Sequence, residues 1–235
     1  MIYAEILAGG KGTRMGKTEL PKQYLLLGEK PVVIHTIEQF LMNPRFDKIL
    51  VCCPKEWISY TNDLIKKYIA SAEKIVVVEG GANRNDTIAN GCKYIEENFG
   101  LDEEDVIVTH DAVRPFLTQR IIHNNIDAAL TYGAADTVVE AFDTIVESID
   151  GETIQSIPIR NHMYQGQTPQ SFKIKSLMSL FESLTQEEAD ILTDACKAFV
   201  IKGHKVHLVQ GEVYNIKITT QHDLKIANAL VEKRG

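Results

Sequence analysis

Five apolar runs of four to six residues alternate with longer amphipathic segments over the first 141 residues. The runs Tyr3–Leu7, Lys48–Cys53, Lys74–Val78, Val106–Thr109 and Thr137–Ala141 predict strands. Between them, Val32–Leu41, Trp57–Ala70, Thr87–Asn98 and Arg120–Tyr132 predict helices. Short apolar strands joined through helices form βαβ units, so the expected fold is α/β with a mostly parallel sheet. Such sheets hold ligands beyond the C-terminal ends of their strands, which directs attention to the residues just after each run.

The rhythm breaks once. Thr144–Ile149 and Thr153–Ile159 are extended runs joined at Asp150-Gly151, a strong hairpin signal. A hairpin projecting from an α/β body cannot bury both its faces alone, so a partner subunit is expected to pack on it. Beyond it, Ile174–Leu184, Ala189–Ile201 and Thr220–Lys233 predict helices, and Val206–Val209 a strand. Thr220 followed by Asp223 suits the start of the last helix. With 235 residues and no repeat or linker, a single domain over 1–235 is expected, with a β-arm at about 142–162.

Bulk properties exclude several function classes. No run of about 18 apolar residues occurs, so no membrane span is expected. The N-terminal run lacks the basic region and long apolar stretch of a signal peptide, and a cytoplasmic location is expected. A formal net charge of −7 disfavours nucleic-acid binding through a basic face. Cys52, Cys53, Cys92 and Cys196 form no C-x-x-C pair and read as buried free thiols. His204 and His207 have no companion ligands that would suggest a metal site.

The first strand runs into Ala8-Gly9-Gly10-Lys11-Gly12-Thr13-Arg14-Met15-Gly16. Closely spaced glycines let the backbone approach a ligand and present N–H groups to an anion. A Walker A loop would need Gly-Lys-Ser/Thr after four intervening residues, and a dinucleotide fingerprint would need glycine where Met15 stands; neither fits. What remains is a glycine loop with two flanking cations, Arg14 and, in Pro21-Lys22-Gln23-Tyr24, Lys22. A tight surface turn with solvated charges is the plainer alternative. Gly80 to Thr87 (Gly-Gly-Ala-Asn-Arg-Asn-Asp-Thr) follows a strand and opens a helix, suiting both a helix cap and nucleotide contacts. Asp111, after the strand Val106–Thr109, could hold Mg²⁺ through one carboxylate with phosphate oxygens completing the shell. Lys217 stands in an apolar run read as a strand, where a charge needs a partner such as a phosphate.

The run Leu-Ala-Gly-Gly-x-Gly-Thr-Arg-Met with Pro-Lys-Gln resembles sugar-phosphate nucleotidyltransferases. Within that group the chain is similar to the cytidylyltransferases that act on methylerythritol phosphate and on ribitol 5-phosphate. Further matching segments are Thr109–Phe116, Gln167–Phe172 and Asn215–Lys217, so the resemblance spans almost the whole chain. It implies a Rossmann-like domain that binds CTP and works as a homodimer through the arm. Leu7, Ala8, Gly9, Gly10, Lys11 and Gly12 would wrap the triphosphate. Gly80, Gly81, Ala82, Asn83, Arg84, Asp86 and Thr87 would contact cytosine and ribose, with Asp111 and Ala112 also at the nucleotide. Arg14, Lys22 and Lys217 would be catalytic, and Asp111 would hold Mg²⁺. Arg160, Thr168 and Lys217 would bind the acceptor phosphate, Arg160 across the subunit interface. Arg114 is expected to pair with carboxylates and His110 to be structural.

The reaction this implies is in-line attack of the acceptor's phosphate oxygen on the α-phosphorus of CTP. An anionic nucleophile needs no general base, so positioning and electrostatic stabilisation would suffice. Tyr164–Phe172, Asp194–Lys197 and Gly211–Asn215 are closest to the members that use ribitol 5-phosphate in teichoic acid synthesis. The isoprenoid-pathway acceptor, 2-C-methyl-D-erythritol 4-phosphate, is the alternative. A non-catalytic nucleotide-binding regulator, or an enzyme using UTP or GTP, is more distant.

Overall fold

Strand β1 (Ile2–Leu7) sends its side chains alternately to two helical layers. Ala4 and Ile6 pack on one side of the sheet and Tyr3 on the other, all fully buried. The structure, a computed structural model, describes residues 1–10, 12–16 and 20–232. After β1 come a short antiparallel pair, β2 (Leu26–Leu27) and β3 (Lys30–Pro31), then α1 (Val32–Leu41), β4 (Lys48–Cys53), α2 (Ile58–Tyr68) and β5 (Ile75–Glu79). The middle of the chain forms α3 (Arg84–Phe99), β6 (Val106–Asp111), α4 (Gln119–Tyr132), β7 (Ala134–Glu140) and β8 (Tyr164–Lys173). It closes with α5 (Ile174–Glu182), α6 (Gln186–Asp190), α7 (Ala195–Ile201), β9 (His207–Gln210) and α8 (Gln221–Glu232).

The seven-stranded sheet has the order β5-β4-β1-β6-β8-β7-β9. All neighbours are parallel except where β8 runs between β6 and β7 against both. One core joins the sheet to α1, α2 and α4; the other joins it to α3, α5 and α7. The expected α/β architecture, a mostly parallel sheet flanked by helices, is therefore present. From β1 the chain first builds outward through β4 and β5, then returns to place β6 on the other side of β1. That reversal opens a crevice above the C-terminal ends of β1 and β6, where Leu7 is paired with Asp111.

Four segments differ from the sequence-based expectation. Strand β8 was not expected, because Pro169 interrupts its pattern and proline is depleted within sheets. The expected helix Ala189–Ile201 is two helices, since Asp194 caps α7 by accepting the Lys197 N–H at 3.0 Å. Residues 215–219, read as a strand around Lys217, belong to no sheet; Ile218 N–H donates to the Val113 carbonyl and its side chain is buried. In the arm, the Asp150-Gly151 turn forms as expected, with Asp150 Oδ1 accepting from the N–H groups of Glu152 and Thr153. Its two limbs meet at one bridge, Glu147–Ser156, rather than as continuous strands. Among the described residues none covers them: Val146, Ile149, Ile154, Ile157 and Ile159 are all exposed. All four cysteines are buried free thiols, as expected.

Candidate active site

A cleft of ≈ 480 Å³ lies above the C-terminal ends of β1 and β6. Leu7, Gly9 and Gly10 form one wall and Gly81 to Arg84 with Thr87 another, while Lys22, Gln23, Asp111, Val113 and Lys217 complete it. Among the described residues that line it, three cations, Lys22, Arg84 and Lys217, share the cleft with a single carboxylate, Asp111. A cleft so charged is built for an anion.

Each wall has a local cause. Beyond β1 the chain turns through Gly12, at φ 65°, into a short helical turn at Thr13–Met15. Lys22 begins a second such turn after Pro21 and lies against the loop, 3.7 Å from where a Gly10 Cβ would stand. Gln23 Nε2 donates to the Ala8 carbonyl at 2.6 Å and fixes the loop's entry. At the second wall, Asn83 caps α3 by accepting the Asp86 N–H at 2.9 Å. Thr87 Oγ1 accepts from the Gly81 N–H at 3.0 Å and donates to the Asn83 carbonyl at 2.8 Å. A Cβ on Gly81 would sit 2.3 Å from Asp86 Cβ and 2.5 Å from its backbone carbon, so only glycine fits. Capping and ligand approach are thus served by the same residues.

The floor is a charge network centred on Asp111. Lys217 Nζ lies 2.8 Å from Oδ2, Arg114 Nε 3.6 Å from Oδ2, and Arg84 Nε 3.7 Å from Oδ1. Burial alone would raise this carboxyl's pKa, but Arg84, Lys217 and Arg114 override it and hold it well below the usual range. Arg114 also donates to the Asn215 carbonyl at 2.7 Å, tying the β6 loop to the segment that carries Lys217. Lys22 has the opposite environment. Burial and then Lys217 lower its pKa, and among the described residues no carboxylate lies within ion-pair distance of it. An incoming phosphate would relieve both penalties.

Behind the floor runs a relay. The Asp111 N–H donates to Thr168 Oγ1 at 3.2 Å, and Thr168 Oγ1 lies 3.0 Å from His110 Nδ1. His110 Nε2 faces the Arg114 carbonyl at 3.0 Å, which can only accept; Nε2 therefore carries the ring proton and Nδ1 accepts from Thr168. Burial lowers the His110 pKa to about 4, so the ring is neutral at physiological pH. Its two bonds tie the end of β6 to the loop that follows it and to β8.

Of the residues the sequence points to, the cleft unites Leu7, Gly9, Gly10, Lys22, Gly81, Ala82, Asn83, Arg84, Thr87, Asp111 and Lys217. Gly80 and Ala8 lie directly behind it, their N–H groups donating to the Cys53 and Cys52 carbonyls. Gly12 packs on the Lys22 stem and Asp86 on the cap. Ala112 is fully buried, its carbonyl accepting from Thr36 Oγ1. Arg14 is exposed and not part of the cleft lining, yet near enough to depress the Lys22 pKa. Thr168 is buried, with its hydroxyl proton directed to His110 rather than into the cleft. Arg160 is exposed on the arm, donates to the Phe142 carbonyl at 3.3 Å, and is not among the described residues lining this chain's own cleft. Lys11 lies outside the described residues. Gln23 was not singled out as a site residue; its place in the Pro-Lys-Gln run is the signal that could have found it.

The model of the family described as IspD, 2-C-methyl-D-erythritol 4-phosphate cytidylyltransferase, matches residues 2–233. A curated ribitol-5-phosphate cytidylyltransferase of Lactiplantibacillus plantarum is 57% identical over 235 residues, the full length of both chains. Among solved structures, the 4-diphosphocytidyl-2C-methyl-D-erythritol synthase of Anaerococcus prevotii is 29% identical. Its TM-score is 0.80, over 98% of this chain and 96% of that one. The 2-C-methyl-D-erythritol 4-phosphate cytidylyltransferase of Francisella tularensis is 28% identical with a TM-score of 0.79, over 97% and 98% of the two chains. With its cation-lined cleft at the switch point of the sheet, this chain belongs to that cytidylyltransferase family and is a nucleotidyltransferase.

Proposed function

We propose that the protein joins CTP and D-ribitol 5-phosphate to give CDP-ribitol and pyrophosphate, supplying activated ribitol for teichoic acid or a related wall polymer in the cytoplasm. The observation that carries the reaction is the meeting of Lys22, Arg84 and Lys217 with Asp111 beside the glycine loop. The acceptor is favoured by the full-length, 57% identical relative, whose name specifies ribitol 5-phosphate. The more distant solved relatives, below 30% identity, carry the methylerythritol name.

An oxygen of the acceptor phosphate attacks the CTP α-phosphorus while the bond to the bridging oxygen of the β-phosphate breaks. Pyrophosphate leaves with that electron pair. The nucleophile is already anionic, so no proton has to be removed. The barrier is anion repulsion and charge gathering on the transferred group, which preorganised cations and N–H dipoles lower. Lys22, with no carboxylate within ion-pair distance among the described residues, is the cation best placed for the triphosphate. Lys217, held on Asp111, is offered to the α-phosphate and the acceptor phosphate.

The donor set also fits Mg²⁺. Among the described residues Asp111, kept ionised, is the one carboxylate lining the cleft, and no cluster of three metal-ligating side chains occurs. Mg²⁺ fits a site of this kind, needing one or two carboxylates with substrate phosphates and water for the rest. When bound there it would neutralise phosphate charge.

A second copy of the chain is the partner proposed for the arm, with Arg160 reaching the neighbour's acceptor phosphate. The exposed run of Val146, Ile149, Ile154, Ile157 and Ile159 supports this. Light scattering tests it: a fully active monomer would refute an arm-completed site. Pyrophosphate release that needs CTP, ribitol 5-phosphate and Mg²⁺ together tests the reaction itself.

A further inference from the structure

On the far side of Asp111 from the glycine walls, the sheet continues through β8 and β7. Gln170 of β8 is paired with Thr109 of β6 and with Asp136 of β7. The alternation of each strand puts Thr109 and Asp111, Gln170, and Asp136 on the same face as Ile107, Phe172 and Ala134, the face covered by α3, α5 and α7. Gln170 Nε2 donates to Asp136 Oδ1 at 3.0 Å. The ladder shifts register between Asp136 and Val138, a β-bulge of the sort that re-aims side chains beside active sites.

Unused hydrogen-bonding capacity gathers along this row. Gln170 is 2% exposed, yet among the described residues its Oε1 has no partner, and neither has the buried Nη1 of Arg84. Asp136 is half-buried, and Oδ1 is the oxygen that Gln170 holds. Burial and then Asp194 raise the Asp136 pKa to about 6, against the pull of Gln170 and Arg84; Cys196 of α7 also lies within range of its charge. The carboxylate is therefore ionised at neutral pH and under-solvated. Beyond Arg84 the surface opens into a second groove of ≈ 850 Å³, which reaches Thr193 beside Asp194. Buried polar groups left without partners call for a polar ligand.

The acceptor must approach from the side opposite the departing pyrophosphate, because in-line transfer puts nucleophile and leaving group on opposite faces of the α-phosphorus. The glycine loop and the Gly80–Thr87 wall occupy the β1 side of Asp111, so the acceptor extends over β8 and β7. Two strand spacings, about 10 Å, separate β6 from β7. That is the scale of an extended five-carbon polyol phosphate.

We propose that Asp136, held by Gln170, is a specificity-determining residue of the acceptor subsite and accepts hydrogen bonds from the polyol hydroxyls farthest from the phosphate. This rests on the polyol-phosphate acceptor proposed above. A shorter acceptor, with its phosphate at the same place, falls short of Asp136.

Steady-state kinetics on Asp136→Ala and Asp136→Asn, against ribitol 5-phosphate and erythritol 4-phosphate, tests it. The tetritol phosphate is measured as substrate or as competitive inhibitor. Losing a charge-assisted hydrogen bond should raise KM for ribitol 5-phosphate about 10- to 100-fold in both variants. KM for CTP, the constant for erythritol 4-phosphate and the thermal midpoint should stay within about twofold or a few degrees of wild type. An unchanged KM for ribitol 5-phosphate, or an equal loss for both acceptors, overturns the assignment. Wild-type protein that does not turn over ribitol 5-phosphate overturns the acceptor reading instead, and is seen before any variant is made.

Discussion

Lys217 Nζ lies 2.8 Å from Asp111 Oδ2, joining the end of β6 to a segment near the C-terminus across the floor of the cleft. The pair does two things at once. It helps hold Asp111 ionised, and it parks a cation, still partly exposed, where phosphates arrive. Replacing Lys217 by alanine removes both, and kcat/KM should fall about 10²- to 10³-fold. Circular dichroism and the thermal midpoint should stay close to wild type, since Arg84 and Arg114 still face the carboxylate.

Lys22→Ala should cost about as much in kcat, again about 10²- to 10³-fold. Its stability should not fall, because the lost group is a buried cation pressed by a neighbouring one. Turnover near normal in a folded Lys22→Ala protein would sink the assignment of this residue.

Gly81 and Gly80 are adjacent but should respond differently to alanine. A Cβ at Gly81 meets the backbone of Asp86 at 2.5 Å, so the N-terminus of α3 must shift; about 1–3 kcal/mol of stability and a higher KM for CTP are expected. At Gly80 the nearest atoms are the Thr87 side chain at 3.3 Å, and the change should be milder. Denaturant midpoints and CTP saturation curves on the two variants check this.

Much of this cleft was legible in the sequence because its residues follow strands. The glycine loop, Gly80–Thr87 and Asp111 each sit just past an apolar run, where an α/β sheet puts ligands. The sequence shows a helix cap at Asn83, Asn85 or Asp86; that it is Asn83, and that Gly81 admits no side chain, follows only from the folded loop. Lys217 was found by its oddity among apolar neighbours, although no strand forms there. The Gln170–Asp136 row was not legible: β8 pairs against the grain of the sheet, its pattern is broken by Pro169, and its contacts cross from one strand to the next. Arm strands were over-read, because the alternation at 144–159 specifies a face that one chain alone leaves uncovered.

Glu5 of β1 should make stability depend on pH. It is fully buried beside Cys52 and beneath Gly91, and burial raises its pKa to about 8 despite the Cys52 hydrogen bond and Arg84. A carboxyl held protonated in the fold but ionised in the unfolded chain favours unfolding as pH rises from about 4.5 to about 8. Glu5→Gln should therefore gain up to a few kcal/mol over wild type at pH 8 and little at pH 4.5. Thermal melts at the two pH values read the difference, and an advantage that is larger at low pH would contradict the buried neutral carboxyl.

The most direct test of the central claim is pyrophosphate release from CTP and Mg²⁺ with ribitol 5-phosphate and 2-C-methyl-D-erythritol 4-phosphate measured side by side. The expected result is a kcat/KM at least about 100-fold higher for ribitol 5-phosphate, with CDP-ribitol as the product, on the scale by which a polar site rejects an imperfect analogue. Equal use of the two, or preference for methylerythritol phosphate, would contradict the proposed acceptor while leaving the transfer chemistry in place. No release with either would contradict the account of the cleft itself.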